Sequence, residues 1–545
     1  MREANTMMQR IRVVTVVILC ALCSIAAAPL ARVEPKSATQ IGKVPEGATQ
    51  PDTLVFANEP EGWSAGVAFE FDLESFPQKS TPLARIQLVD VTKLKVSRSG
   101  QKSSTGRGVF RATVKDAEGK PVTVGTAAVK PAGIPLPYMI DVTEAVSAAL
   151  SKPAGQRKVH IELEMTGAPA YYEVYGLATG AAAKAQPALE IAPDANWTND
   201  WAERVAPIDR GPLVYREACM PIAKSKDAEL ELKLLYPAKR VVEVIHLGTG
   251  EKLQEGRDWV LREGKVFLPP GSHAPVQVEA EFFARPPSTQ PNTSGKPLPL
   301  LTVQLKEGTY YHERQIEVTY EPSSRDGWSM PAPVSSPDKL PRVRKMLAEK
   351  QPVRVVLLGD SITLGGNASR FQGGWPYQPQ YGELAMWAIQ KHYGGPLEII
   401  NPSRGGAGAL FGSTQAESQA GWFKPDLVVI GYGMNDRGDK RRPTYKTDLE
   451  AIIDNIRKVS PDTEFILVTS MMNNPKQPTG TEPIFALRDM ALAIDRTGLA
   501  FADMTTTHQK LIERKNYLDT SGNGANHPND YLHRIYAQRV IELLK

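Results

Sequence analysis

One stretch limits what this chain can fold into more than any other: Val355-Val356-Leu357-Leu358-Gly359-Asp360-Ser361-Ile362-Thr363. A continuous apolar run is the signature of a strand buried on both faces, as in a parallel sheet covered by helices. The run stops at Gly-Asp-Ser, which brings a serine to the carboxyl end of the strand, where open α/β sheets bind ligands. Taken alone, the tripeptide is better read as structural, with Asp360 and Ser361 capping the next helix.

Three later segments change that reading. Ile399-Ile400-Asn401-Pro402-Ser403-Arg404-Gly405-Gly406-Ala407-Gly408 is a short apolar strand entering a glycine-rich loop. Leu427-Val428-Val429-Ile430-Gly431-Tyr432-Gly433-Met434-Asn435-Asp436 is a strand ending in Gly-x-Asn-Asp, and Asn526-His527-Pro528-Asn529-Asp530 precedes a helical pattern. Together they supply the parts of acyl transfer. Ser361 is a nucleophile, His527 a general base, and a glycine N–H near 406 and the Asn435 amide are donors for an oxyanion.

These four blocks, in this order and at strand ends, resemble the SGNH (GDSL-type) hydrolases over about residues 340–545. The resemblance implies a flavodoxin-like three-layer α/β/α domain that hydrolyses esters or thioesters through an acyl-serine. It assigns Ser361 as nucleophile, His527 as base, and Ser361 N–H, Gly406 N–H and Asn435 as the oxyanion hole, with Gly405 as the neighbouring alternative. It implies no cofactor. In one respect the chain departs from the family pattern: Gly524 stands three residues before His527, where the family usually carries aspartate. The remaining choices for what orients His527 are a Ser-His dyad with a loop carbonyl accepting the Nδ1 proton, which is favoured, or Asp519. Asp530 is a weaker third candidate because its expected cap role turns it away.

The 545 residues predict a multidomain chain, and a formal net charge of +4, half of it in the first 28 residues, is too small for a nucleic-acid footprint. Arg10 and Arg12 precede an apolar segment, Val13 to Ile25, and then Ala26, Ala27 and Ala28. This reads as a signal peptide over 1–28, too short in its apolar core to span a bilayer, and predicts a secreted or periplasmic protein without membrane insertion after cleavage. Cys20 and Cys23 lack a good lipoprotein pattern. Cys219, the one cysteine beyond them, reads as a buried hydrophobe, and no metal-ligand spacing is present.

Residues 29–50 read as a disordered lead. From 51 to 193 strands are expected at Thr53–Ala57, Gly66–Phe71, Ala84–Val89, Gly108–Val114, His160–Glu164 and Tyr171–Tyr175. Within this region Met139–Val146, Val159–Leu163 and Pro187–Ile191 resemble DNRLRE-type jelly-roll modules, which implies a β-sandwich with a carbohydrate-binding or adhesive role. A β-rich accessory domain is expected over 195–325, with strands at Glu229–Leu235, Val241–His246, Trp259–Leu261, Val266–Leu268, Val276–Phe282 and Gln315–Tyr320 and a proline-rich loop from Pro286 to Pro299. Tyr310-Tyr311-His312-Glu313-Arg314 reads as a polar strand edge or domain contact. A proline-rich linker at 326–345 predicts a hydrolase domain, 346–545, that is separable from the β regions.

In that domain strands are expected at Val353–Leu358, Leu397–Ile400, Leu427–Ile430, Glu464–Thr469 and Ala500–Asp503. Helices are expected at Gly382–His392, Lys446–Val459, Ile484–Thr497 and from Pro528 to Leu544. His508 and His533 read as packing or surface residues. Export, the possible sugar-binding module and the aromatic residues Trp375, Tyr377, Tyr381 and Trp422 favour an esterase acting on acylated carbohydrate, acetyl being the favoured group, with Trp375 and Tyr377 as candidate substrate contacts. The alternatives are a lipid-acting esterase or lysophospholipase of the same fold, and a secreted binding or adhesion protein with an inactive hydrolase domain. The sequence leaves the oligomeric state open.

Overall fold

The computed structural model describes residues 31–33, 35–43, 53–58, 64–76, 78, 81, 83–88, 108–115, 119–128, 138–167, 170–175, 188–192, 199–283, 305–477 and 480–545. The expected signal segment and the proline-rich loop lie outside them.

In the C-terminal domain the buried run forms the strand Val353–Gly359, an interior strand of a five-stranded parallel sheet. In sheet order the strands are Leu397–Ile400, Val353–Gly359, Leu427–Gly431, Glu464–Val468 and Leu499–Ala502. Alternate side chains point to opposite faces. Val353, Val355 and Leu357 pack with Leu384, Ile389, Leu532 and Ile535 from helices Tyr381–Tyr393 and Asp530–Ile541. Val356 and Leu358 pack with Ala416, Leu449 and Ile452 from helices Ala409–Gln419 and Tyr445–Val459. Three layers result. The strand order reverses between the first and third strands of the chain, and the crevice at their carboxyl ends is where such sheets place a ligand.

The middle region does not stand apart. Its sheet, Val214–Cys219, Ile316–Pro322, Ala238–His246 and Lys252–Leu253, lays Val214, Val318 and Tyr320 into the same apolar core as Leu532 and Ile535. Fully buried charges cross the junction. Lys515 Nζ donates to Glu217 Oε1 at 2.8 Å and to Lys233 O at 2.6 Å, and Gln538 Nε2 donates to Ala206 O at 2.7 Å. The segment expected as a linker, 326–345, is part of this packing. Leu340 and Val343 have no exposed surface, and Trp328 Nε1 donates to Lys510 O at 2.8 Å. Two of its prolines are helix starters rather than spacers. Pro337 and Pro341 open a 3₁₀ turn and the helix Pro341–Ala348, positions where a missing N–H costs nothing.

The described residues N-terminal to 193 are mostly antiparallel sheet. One sheet orders Ala31–Val33, Ala188–Ile191, Ala84–Leu88 and Tyr138–Asp141; the other centres on Ser64–Asp72 and Lys158–Gly167. The lead expected to be disordered contributes two strands: Ala31–Val33 pairs with Ala188–Ile191, and Ser37–Lys43 pairs with Ser64–Asp72. Neighbouring strands satisfy backbone groups there that a free segment would leave to water. Arg370 of the C-terminal domain donates to Asp141 Oδ2 at 2.6 Å, and Arg111 pairs with Glu398 at 2.6 Å, docking this region too.

Candidate active site

The strand Val353–Gly359 ends against its neighbour so closely that a side chain on Gly359 would collide with Gly431 O. Asp360 caps the short helix Ser361–Leu364, its Oδ1 accepting from Ile362 N–H at 2.9 Å. Burial pushes the Asp360 carboxyl up to about 7, against the pull of that N–H and of nearby His527. Gly366 N–H donates to Ser361 O at 2.7 Å. A Cβ on Gly366 would stand 3.1 Å from the His527 ring, so the glycine leaves room for the imidazole.

His527 is held by its own loop. Asn523 Oδ1 accepts the N–H groups of Ala525, Asn526 and His527, each at 3.0 Å, while Ser521 Oγ and Gly522 N–H donate to His527 O at 3.1 and 3.0 Å. Asn529 then caps the following helix through Leu532 N–H. The ring that results stands with Nε2 2.8 Å from Ser361 Oγ.

On the far side of the ring, His527 Nδ1 lies 2.7 Å from Asn367 Oδ1 and 3.4 Å from Glu307 Oε2. Asn367 Nδ2 donates to Gly308 O at 3.0 Å and to Gly522 O at 3.1 Å. Two carbonyls can only accept, so they fix which end of the amide is nitrogen and aim its oxygen at the ring. Nδ1 therefore carries the proton, and Nε2 is left to accept from Ser361. Asn367 sits at φ +62°, a left-handed conformation that asparagine tolerates better than most residues. Glu307 is braced by Asn523 Nδ2, which donates to its Oε1 at 3.1 Å; its contact with His527 holds the Glu307 carboxyl below the usual range.

Facing Ser361, the loop after Ile400 exposes Gly405 and Gly406. A Cβ built on Gly405 would lie 4.0 Å from Ser361 Cβ, whereas one on Gly406 would meet open space. Gly405 is thus against the serine, and Gly406, at φ +73°, forms the turn beside it. Asn435 Nδ2 donates one hydrogen to Ala407 O at 2.9 Å, leaving its second for a ligand. The adjacent Asp436 has a structural job, accepting from Ala409 N–H at 3.0 Å at the start of helix Ala409–Gln419.

Several expected site residues lie elsewhere. The Asp519 carboxylate faces away from His527, accepting from Met220 N–H at 2.7 Å and Asn516 N–H at 2.8 Å. It belongs to the junction with the middle region, beside Lys515. No loop carbonyl takes the Nδ1 proton either: Asn367 occupies that position. Asp530 accepts from Ser369 N–H at 2.8 Å. Tyr377 is buried against Leu83 and Ala192 of the N-terminal region, and Trp375, partly buried, packs on that cluster with Arg216 5.5 Å from its ring centre, which places both at the domain junction. His508 and His533 are buried, and burial lowers each to about 3. Asn367 and Glu307 were missed by sequence reasoning. Gly365-Gly366 ahead of Asn367 was the local signal, and nothing near His527 in sequence points to Glu307. Among the described residues no cluster of three or more His, Cys, Asp or Glu side chains could hold a metal.

Residues 357–535 match the GDSL-like Lipase/Acylhydrolase family and form a domain of that kind. No curated protein matches the chain in sequence. Among solved structures, it is similar to a two-domain esterase active on acetylated mannans, crystallised with mannopentaose, at 19% identity and a TM-score of 0.32, covering 39% of this chain and 54% of that one. The chain thus matches about half the length of that esterase. It is also similar to an acetylxylan esterase from Geobacillus stearothermophilus at 19% identity and a TM-score of 0.29, covering 35% and 94%. A third likeness is to an α/β hydrolase from the metagenome of Lake Arreo, Spain, at 18% identity and a TM-score of 0.30, covering 35% and 94%.

Proposed function

We propose that the chain is an exported serine esterase that removes small acyl groups, acetyl above all, from carbohydrate through an acyl-Ser361 intermediate. The observation that carries the reading is the relay Ser361 Oγ, His527 Nε2, His527 Nδ1–H and Asn367 Oδ1, with contacts of 2.8 and 2.7 Å at its two ends.

The steps follow from those contacts. Ser361 Oγ attacks the ester carbonyl as His527 Nε2 takes its proton. Negative charge on the carbonyl oxygen is met by the Ser361 N–H, a glycine N–H of the 405–406 turn and the free hydrogen of Asn435. Loss of one such donor typically costs about 3–4 kcal/mol of transition-state stabilisation. The imidazolium then returns its proton to the departing alcohol oxygen as the C–O bond breaks. Water attacks the acyl-serine with His527 as base, which releases the acid and restores the serine.

The groups bordering the serine and histidine are polar or small: Glu307, Asn523, Asn435, Gly405 and Gly406. They suit a hydroxyl-rich substrate bearing a short acyl group. A lipid-acting esterase is the second reading, favoured by Leu410, 55% exposed just beyond the glycine turn. The N-terminal sheet region is proposed to engage the polymer, and the leader to direct export; no helix among the described residues is long and apolar enough to cross a membrane.

Turnover of 4-nitrophenyl acetate and octanoate, and acetate release from acetylated xylan and mannan, test the assignment. Acetyl esters should be hydrolysed fastest, and Ser361→Ala should lose at least about 10⁴-fold in kcat while its unfolding is unchanged. Near-wild-type turnover by that variant would remove Ser361 from the mechanism. Faster octanoate hydrolysis would favour the lipid reading.

A further inference from the structure

We infer that Glu307, delivered by the middle region, is the acid that electrostatically supports and positions His527, taking over the task of the aspartate that Gly524 replaces. The inference rests on the serine-esterase reading and names a residue that the reading does not require.

Three observations converge on one short segment. Glu307 Oε2 is 3.4 Å from His527 Nδ1, with Oε1 fixed at 3.1 Å by Asn523, the residue that also shapes the His527 loop. Its neighbours grip the same machinery. Lys306 N–H donates to Asn523 O at 3.2 Å, and Gly308 O accepts from Asn367 Nδ2 at 3.0 Å. Four residues on, Tyr311 explains why the local acid is missing: a Cβ on Gly524, at φ +78°, would collide with the Tyr311 hydroxyl and ring. The segment that fills the space of an aspartate at 524 therefore brings a carboxylate of its own to the far side of the imidazole.

The division of labour with Asn367 is physical. Asn367 fixes the tautomer but offers only a dipole. When His527 accepts the Ser361 proton it becomes a cation, and Glu307 is the carboxylate placed against Nδ1 to balance it. Amidating the triad aspartate of a serine protease costs about 10⁴-fold, largely through the wrong tautomer. Here the tautomer is held independently, and the Glu307 side chain is 59% exposed, so solvent screens part of its charge. A smaller effect, roughly 10- to 100-fold in kcat, is expected.

The test compares the full-length chain with Glu307→Gln and Glu307→Ala. It measures kcat and KM on 4-nitrophenyl acetate, the rate at which a fluorophosphonate labels Ser361, and thermal unfolding. Glutamine keeps an acceptor for Asn523 and removes the charge, with its NH₂ in place of the oxygen that faces His527. Glu307→Gln should lower kcat and the labelling rate together, with KM within about twofold and unfolding unchanged, and Glu307→Ala should do no better. If Glu307→Gln keeps kcat and labelling within twofold while Glu307→Ala loses them, Glu307 is only a clamp on Asn523 and the inference is overturned. If both variants match the wild type, it is overturned outright. If the wild type neither hydrolyses the ester nor takes the label at Ser361, the esterase reading fails and this inference falls with it.

Discussion

Asn367 Oδ1 stands 2.7 Å from His527 Nδ1, and the amide cannot reverse because its nitrogen is held by the carbonyls of Gly308 and Gly522. An amide beside a catalytic histidine is usually damaging, because its NH₂ end can face the ring and force the proton onto the wrong nitrogen. Here one of the two locking carbonyls comes from the middle region, so the tautomer of His527 depends on residues outside its own domain.

Removing that amide should be costly for turnover. Asn367→Gly keeps the φ of +62° without strain and deletes the side chain. We expect kcat on 4-nitrophenyl acetate to fall about 100-fold, the size of effect typical of general-base assistance. A change under threefold would show that Asn367 does not orient the ring.

The shared core makes the hydrolase domain dependent on the middle region. A chain starting at residue 199 should keep its activity on a small acetyl ester. One starting at residue 325 loses Glu307 and the sheet that covers Leu532 and Ile535, and should be insoluble or inactive. Recovery of a soluble, active fragment from 325 onward would show that the two regions are independent.

Lys515 lies fully buried between Glu217, at 2.8 Å, and Asp519, at 3.7 Å. Lys515→Met leaves both acids without their cation, and loss of one partner from such a group costs about 3–5 kcal/mol. Adding Glu217→Gln to it should recover part of the loss. Equilibrium unfolding of the three proteins decides; a single-variant loss below about 1 kcal/mol would mean water reaches the site.

Asp360 should make stability fall as pH rises. Its folded-state value, about 7, lies above the unfolded 3.8, so between these pH values the folded chain holds a proton that the unfolded chain has released. The associated stability is complete below pH 3.8, declines towards pH 7 and is absent above it. Asp360→Asn keeps an acceptor for Ile362 N–H and removes the titration. It should be more stable than wild type at pH 8 by on the order of 4 kcal/mol, and little different at pH 4, as measured by denaturant unfolding. Equal effects at both pH values would contradict the assignment.

What could be read in the sequence follows from locality. The parallel strands declared themselves as apolar runs, and Ser361, Asn435 and His527 sit directly beside such runs or a helix start. Val214–Cys219 did not, because Arg216 and Glu217 interrupt it. Their partners, Glu243, Glu317, Tyr320 and Lys515, arrive from distant segments, and only that pairing makes the strand a buried one. Helix Met504–Ile512 was hidden by its run of threonines and depends on Asp503, which accepts from Thr506 N–H at 3.1 Å. Trp375 and Tyr377 were near the serine in sequence, yet the docked N-terminal region is what covers them. Glu307 was beyond reach for the same reason: nothing in the sequence around His527 shows which distant segment comes to face it.

The ion pair between Glu217 and Lys515 spans 298 positions of the chain. On a ribosome adding about 5–20 residues each second, the middle region must wait on the order of half a minute for that cation. During the wait its sheet has neither the helix that covers it nor the charge that balances it. Contacts so distant in sequence make folding slow and leave apolar surface open to wrong partners. Production of this protein should therefore be limited less by its final stability than by the interval before the segment carrying Lys515 emerges, and slower synthesis or added chaperone should raise yield more than stabilising substitutions do.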